Sequence, residues 1–239
     1  SGVDFVITML PVGANVKEVY MNDGVISAAD SGTVMIDTST IDFETAQATN
    51  LAAKVAGFDM IDAPVSGGVT GADAATLTFM CGGDKKSFDK AKPILASMGK
   101  NIVHCGKAGL GQVTKICNNM LAGINALAAA EAMVMGERLG VSRETLYDVI
   151  STSTGRSYIF ETSNPMSGVS TTSPANNDFK PGFMAKLMLK DLRLSQAAAQ
   201  SASTSTPLGA VATAAFQQLI ENGFGDADTS SIIKVIDPK

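Results

Sequence analysis

The sequence contains no tryptophan, and aromatic residues make up 5% of its 239 positions, which argues against a base-stacking nucleic-acid surface. It also has no basic block. Eighteen Lys and Arg face 23 Asp and Glu for a net charge of -5, a balance unsuited to reading a phosphate backbone. A single histidine, His104, excludes any multi-histidine metal site. It leaves one possible base for a Ser-His or Cys-His enzyme, yet His104 closes the short apolar run NIVHCG and is read as a strand-end residue. Three cysteines, Cys81, Cys105 and Cys117, are too few and too scattered for a disulfide framework or a zinc site. All three lie in apolar stretches, so they are expected to be buried, reduced thiols of an intracellular protein.

Long hydrophobic runs are missing as well. The longest charge-free stretch, Ile116 to Ala130, carries Asn118, Asn119 and Asn125 and fits a buried helix rather than a membrane span. The dinucleotide fingerprint of a strand, a G-x-G-x-x-G turn and a helix is also lacking: Gly109-Leu110-Gly111 does not follow a strand in the required context. The sequence opens as SGVDFVITMLP, without a starting Met and with an apolar strand almost at once, so the natural N-terminus and any targeting signal are expected to lie outside it.

What is present is an apolar chain, 45% hydrophobic, able to build a real core over one or two domains. Up to residue 107, short apolar runs alternate with helical patterns. Strands are expected at Val3–Leu10, Thr33–Asp37, Phe58–Ile61, Leu77–Met80 and Asn101–His104. Helices are expected at Asn15–Val25, with Asn15 as N-cap, at Phe43–Ala56, with Ala46, Leu51, Ala52 and Val55 on one side, and at Asp84–Met98. That alternation implies a parallel sheet in an α/β layer fold. From Gly109 to Leu139 the pattern is one helix about 45 Å long, so poor in charge that it should be buried nearly all round. Helices at Arg143–Thr152 (capped by Ser142), Ala185–Ser203, Pro207–Asn222 and Thr229–Ile236 follow, around a polar loop from Asn164 to Gly182. The fold class is therefore α/β: a partial α/β domain over 1–107, then an all-helical domain over 108–239, joined by one long helix.

Four constellations could carry chemistry. In DAPVSGG, Ser66, Gly67 and Gly68 follow a strand and offer a hydroxyl and unshielded N–H groups suited to a carboxylate or phosphate; an ordinary turn is the alternative. In GQVTKICNN, Gln112, Lys115 and Asn119 share a helix face. A surface lysine is the bland reading, and a partly buried ammonium able to exchange a proton near neutral pH is the functional one. In LMLKDL, behind the polar loop, Lys190 lies on a helix four residues after Lys186, and a solvated surface lysine is the bland reading. Finally Met9-Leu10-Pro11 with Asn15, and Asp37-Thr38-Ser39-Thr40, follow strands, either capping the next helix or meeting a nucleotide.

The segments ITMLP, DTSTID, DAPVSGGVTGA, LTFMCGG, GQVTKICNNML, AEAM, STSTGRS and LMLKDLRL stand in the order found in the β-hydroxyacid dehydrogenases, and the chain resembles that family over essentially its whole length. The resemblance implies a Rossmann domain, a helical C-terminal domain and oxidation of a small β-hydroxy acid by NAD, with no metal, nucleic acid or membrane. It implies Lys115 as the catalytic lysine with Asn119 as its partner, and Ser66, Gly67 and Gly68 on the substrate carboxylate. It places Leu10, Pro11, Asn15 and Thr40 along the cofactor and Lys190 at its nicotinamide end. It further implies the mitochondrial matrix of a eukaryote or otherwise the cytoplasm, and the charge-poor Gly109–Leu139 helix is expected to pack against a second subunit in a homodimer or homotetramer. The family's first two strands and glycine-rich turn have no counterpart in these residues. The 239-residue polypeptide by itself is thus expected to bind dinucleotide poorly and to leave a bare edge at Val3–Leu10. A sibling semialdehyde reductase and a non-catalytic interaction module are the alternative functions.

Overall fold

The computed structural model describes residues 2–238. The chain divides into two compact units, Ser1–Cys117 and Asn118–Lys239.

The first unit is built on a six-stranded sheet. Its strands are β1 (Phe5–Thr8), β2 (Val34–Asp37), β3 (Asp59–Asp62), β4 (Val65–Ser66), β5 (Leu77–Gly82) and β6 (Gly99–Gly106). They run in the order β1-β2-β3-β5-β4, with β6 also on β5. Between them lie helices α1 (Gly13–Met21), α2 (Val25–Ala28), α3 (Phe43–Val55), α4 (Gly68–Asp73) and α5 (Lys85–Leu95). All four residues of β2 are buried, as expected of a central strand covered on both faces. Alternate residues of the strand serve the two faces. Val34 and Ile36 join Ile61, Phe79, Phe88 and Leu95 in one core, while Met35 joins Val16, Tyr20, Ile41, Ala46 and Met60 in the other. Full burial of side chains such as Met35 and Ile36 contributes roughly 1.5–3 kcal/mol each before entropy.

The sheet is mixed rather than wholly parallel. β1, β2 and β3 are parallel, as are β5 and β6, but β3 meets β5 antiparallel at Asp62↔Gly82 and β4 pairs antiparallel with β5. The segment after Ser66, which reads as a shaped loop, forms the short helix α4. Asn15 is not a cap: α1 starts two residues earlier, at Gly13, with Val12 in the N-cap position and no side-chain cap. The cap of α3 is Asp42, which accepts the Thr45 N–H at 2.7 Å, rather than the preceding Thr/Ser cluster. The buried face of α3 is Thr45, Ala46, Thr49 and Ala53, whereas Leu51 and Val55 face water. The Thr49 hydroxyl donates to the Thr45 carbonyl, which makes its burial cheap. Among the described residues β1 pairs on one side, with β2, and Val3 before it and Ile7 within it are exposed. Cys81 is buried and its thiol is pushed up to about 12 by desolvation, but Cys105 is half-buried and Cys117 is exposed, against the expectation of three buried thiols.

Helix α6 (Leu110–Arg138) spans 29 residues. In the second unit it is followed by α7 (Arg143–Ser151), α8 (Tyr158–Thr162), α9 (Ala185–Ser201), α10 (Pro207–Leu219) and α11 (Ile233–Ile236). Their core gathers Met133, Phe160, Met188, Leu192, Phe216, Leu219 and Ile232. Gly123 lets α9 come close, since a methyl there would sit 3.0 Å from the Leu192 side chain. The α6 surface in this unit is not buried all round: Leu121, Ala128, Glu131 and Met135 are exposed. The polar loop is tied down. Ser173 donates to the Asn164 carbonyl, Asn176 to that of Ser170, and Asp228 accepts from Gly182 and Phe183. No helix among the described residues is long and apolar enough to cross a membrane.

Candidate active site

Strands β2 and β3 end on the same residue type, VMID and DMID, and the register sets Asp37 beside Asp62. Both carboxylates are buried at the C-terminal edge of the parallel strands, where ligands bind in open α/β sheets. Burial pushes both upward, Asp62 to about 6. Asp37 accepts from the hydroxyls of Thr8 at 2.8 Å and Ser39 at 2.5 Å. Asp62 accepts from the backbone N–H groups of Gly109 at 2.7 Å and Gln112 at 3.0 Å. It is therefore the N-terminal cap of α6, supplied from the sheet, and a carboxylate there also suits the helix dipole.

Lys115 lies in the second turn of that helix. It is 8% exposed, so the surface-lysine reading falls. Gln112, one turn before it, is wholly buried, and its carboxamide bonds the chain at Ser39 and Ile41. Four residues after Asp62 comes Ser66, half-buried and paired with Thr78. Gly67 and Gly68 follow at φ +136° and +62°, which favour glycine, and both are exposed. A side chain at Gly67 would also press on Leu77, at 3.0 Å. Asp62 thus anchors both the lysine helix and the strand end that leads into the Ser66-Gly67-Gly68 turn.

Three of the expected cofactor residues gather in one place: Leu10, Pro11 and Asn15 line an open concavity of about 770 Å³ together with Glu18, Val19 and Val25. Thr40 is not among the residues that line it; the residue before it, Ser39, accepts the Leu10 N–H through its hydroxyl at 2.8 Å. A concave, largely apolar wall at the ends of parallel strands fits part of a dinucleotide.

In the second unit, Asn119 is 3% exposed. Its amide donates to Asp191 at 2.6 Å and its oxygen accepts from Asn118 at 2.9 Å. Lys190 reaches the same Asp191 at 3.4 Å. Asp191 therefore brings Asn119 and Lys190 together, a role the sequence did not reveal. The roles of Asp37 and Asp62 were also missed, although an acid closing a buried apolar strand is costly unless partnered and could have flagged them. His104 is what it was read to be: its Nε2 donates to the Gly83 carbonyl at 2.9 Å and its ring stacks on Phe88.

Both halves of the chain match known protein families. Residues 1–106 match the family model described as the NAD binding domain of 6-phosphogluconate dehydrogenase. Residues 109–236 match the one described as NAD-binding of NADP-dependent 3-hydroxyisobutyrate dehydrogenase. An NAD-dependent L-serine dehydrogenase of Pseudomonas aeruginosa is 42% identical over 99% of this chain and 80% of its own length. A probable 3-hydroxyisobutyrate dehydrogenase of Mycobacterium bovis is 44% identical over 98% of this chain and 78% of its own. The solved structure of 3-hydroxyisobutyrate dehydrogenase from Mycobacterium tuberculosis, with L-serine, superposes with a TM-score of 0.93 at 44% identity, covering 99% of this chain and 80% of that one. With both halves matched by dinucleotide-binding models and with relatives of this identity along nearly its whole length, the chain belongs to the β-hydroxyacid dehydrogenases, the NAD(P)-dependent oxidoreductases of the 3-hydroxyisobutyrate dehydrogenase type.

Proposed function

We propose that this protein oxidises (S)-3-hydroxyisobutyrate to methylmalonate semialdehyde, a step of valine catabolism, with NAD as the oxidant. The observation that carries the reading is Lys115: a buried amine on a helix whose start is fixed by Asp62, the residue that also leads into the Ser66-Gly67-Gly68 turn. The Ser66 hydroxyl and the N–H groups of Gly67 and Gly68 hold the substrate carboxylate, and so fix the direction in which the carbinol carbon points. Lys115 Nζ, as the neutral amine, takes the hydroxyl proton as the carbinol C–H bond is broken. Bound NAD supplies the acceptor for the hydride. Asn119, one turn further along α6, orients the amine or the substrate oxygen, and its own amide is held by Asp191. Leu10, Pro11, Asn15 and Thr40 hold the cofactor, with Lys190 at its nicotinamide end. No step calls for a metal ion.

L-Serine is a second reading, favoured by the relative named for it and by the solved structure that contains it. Both molecules are carboxylates with a β-hydroxymethyl group, so the same residues serve either. They differ at the α-carbon, a methyl group in one and an ammonium in the other. Steady-state kinetics of the full-length protein with NAD decide between them. The expected result is the highest kcat/KM on 3-hydroxyisobutyrate. A higher value on L-serine, or on the reduction of tartronate, succinic or glyoxylic semialdehyde, overturns the substrate assignment.

We also infer a homodimer or homotetramer, because α6 and the residue after it turn large apolar side chains outward: Leu121 is 59% exposed, Met135 62% and Leu139 78%. The reading places the protein in the mitochondrial matrix of a eukaryote and otherwise in the cytoplasm.

A further inference from the structure

Gln112 takes no part in the chemistry proposed above, yet none of its surface reaches solvent. Its carboxamide is used at both ends. The Ile41 N–H donates to Oε1 at 3.0 Å, and Nε2 donates to the Ser39 carbonyl at 2.8 Å. These two groups flank Thr40. The bracket is anchored in turn, because the Gln112 N–H donates to Asp62 and the Ser39 hydroxyl, which accepts from Leu10, donates to Asp37.

A carboxamide offers a donor and an acceptor in one plane at fixed spacing, which is what a backbone N–H and C=O on either side of one residue require. An aliphatic replacement would leave the Ile41 N–H and the Ser39 carbonyl buried without their partner, and the loop would have to move to hydrate them. Lys115 keeps a separate anchor through Asp62 and the helix itself. Loss of the amide should therefore act on the loop and spare the amine.

We propose that Gln112 is a positioning residue for the cofactor loop, its amide holding the main chain on both sides of Thr40 to the helix that carries Lys115. The proposal rests on the function proposed above, in which Thr40 meets the cofactor.

The test is Gln112→Met, with Gln112→Asn as the variant that keeps an amide one methylene too short to span both partners. Three quantities are measured on the full-length protein: NADH affinity by fluorescence titration, the KM and kcat values for NAD and hydroxy acid, and amide hydrogen exchange of the 39–43 segment without cofactor. In Gln112→Met, the NADH Kd and the KM for NAD should rise about tenfold, the effect of roughly 1.4 kcal/mol. The kcat and the KM for hydroxy acid should stay within about threefold, and exchange at Ile41 should accelerate. Gln112→Asn should shift in the same direction by less, and it answers the question if the Met variant does not fold. Faster exchange with unchanged NADH affinity would make Gln112 merely structural and overturn the proposal. So would a fall in kcat with KM for NAD unchanged, which would place its action on Lys115. A wild-type protein that binds no NADH overturns the functional reading and takes this one with it.

Discussion

Lys115 is a long amine-bearing side chain buried near the start of a helix whose other charges, Glu131, Glu137 and Arg138, lie toward its far end. Replacing it with methionine keeps most of the buried stem and removes the amine. Lys115→Met should lower kcat by at least ~10²-fold, the usual size of a general acid–base contribution, with its melting temperature within a few degrees of wild type. Near-normal turnover would remove the lysine from the mechanism. Asp62 makes a different prediction. Its carboxyl is raised to about 6 by burial, above the ordinary value of about 3.9 that it has in the unfolded chain. The folded protein thus binds this proton more tightly than the unfolded chain. The stability that follows is fully present below about pH 4 and is lost as pH rises through 6, on the order of 3 kcal/mol. Asp62→Asn, which does not titrate, loses one of the two N–H bonds and should be less stable than wild type at pH 4. The gap from wild type should nevertheless narrow between pH 4 and pH 7 in urea melts. A gap that widens with rising pH would mean that the ionised carboxylate, held by Gly109 and Gln112, is the stabilising form.

At the scale of elements, legibility followed the range of the forces involved. Helix α6 is placed within one residue at each end because its apolar composition and flanking glycines are local signals. The strands VMID and DMID are equally local. Strand β4 was not legible: two residues make no pattern, and Val65 and Ser66 are strand only because Phe79 and Thr78 lie opposite. The antiparallel step between β3 and β5 was hidden for the same reason, since a crossover length does not fix direction when the intervening strand turns back. The apolar face assigned to α3 failed because Thr45 and Thr49 outcompeted Leu51 and Val55 for the interior, a tertiary choice that hydropathy does not encode. The candidate site divides along the same line. The spacing of Lys115 and Asn119 on one helix was readable. The partners of Gln112 lie 71 and 73 residues away, and those of Asp62 lie 47 and 50 residues away, so no window of sequence contains them. Close packing at the foot of α6 was equally invisible. Gly111 is required there because a methyl group would come within 2.2 Å of the Met80 carbonyl and 2.9 Å of the Gly82 nitrogen, and either contact would lift the helix off the sheet.

For the molecule as a whole, the outward stripe on α6 sets the expectation. Leu121, Ala128 and Met135 recur every seven residues and are all exposed, so they share one face, and Leu139 extends it past the end of the helix. Single exposed apolar residues need no explanation, but a repeated row of large ones on a helix resembles half of an interface. A second copy of the chain presents the same row, and a two-fold axis across it would let each stripe cover the other. The flanks are polar, with Glu131 exposed and Arg138 held to Asp237, which suits the rim of such a contact. Light scattering of the full-length protein at micromolar concentration should therefore return a dimer or tetramer. The double variant Leu121→Lys, Met135→Lys puts four charges into a two-fold seam. It should shift the mass toward the monomer while leaving the circular dichroism spectrum unchanged, because both positions face solvent within their own chain. A monomeric wild type would sink the assignment outright. An oligomer that survives both lysines would move the interface to another face of the helical unit.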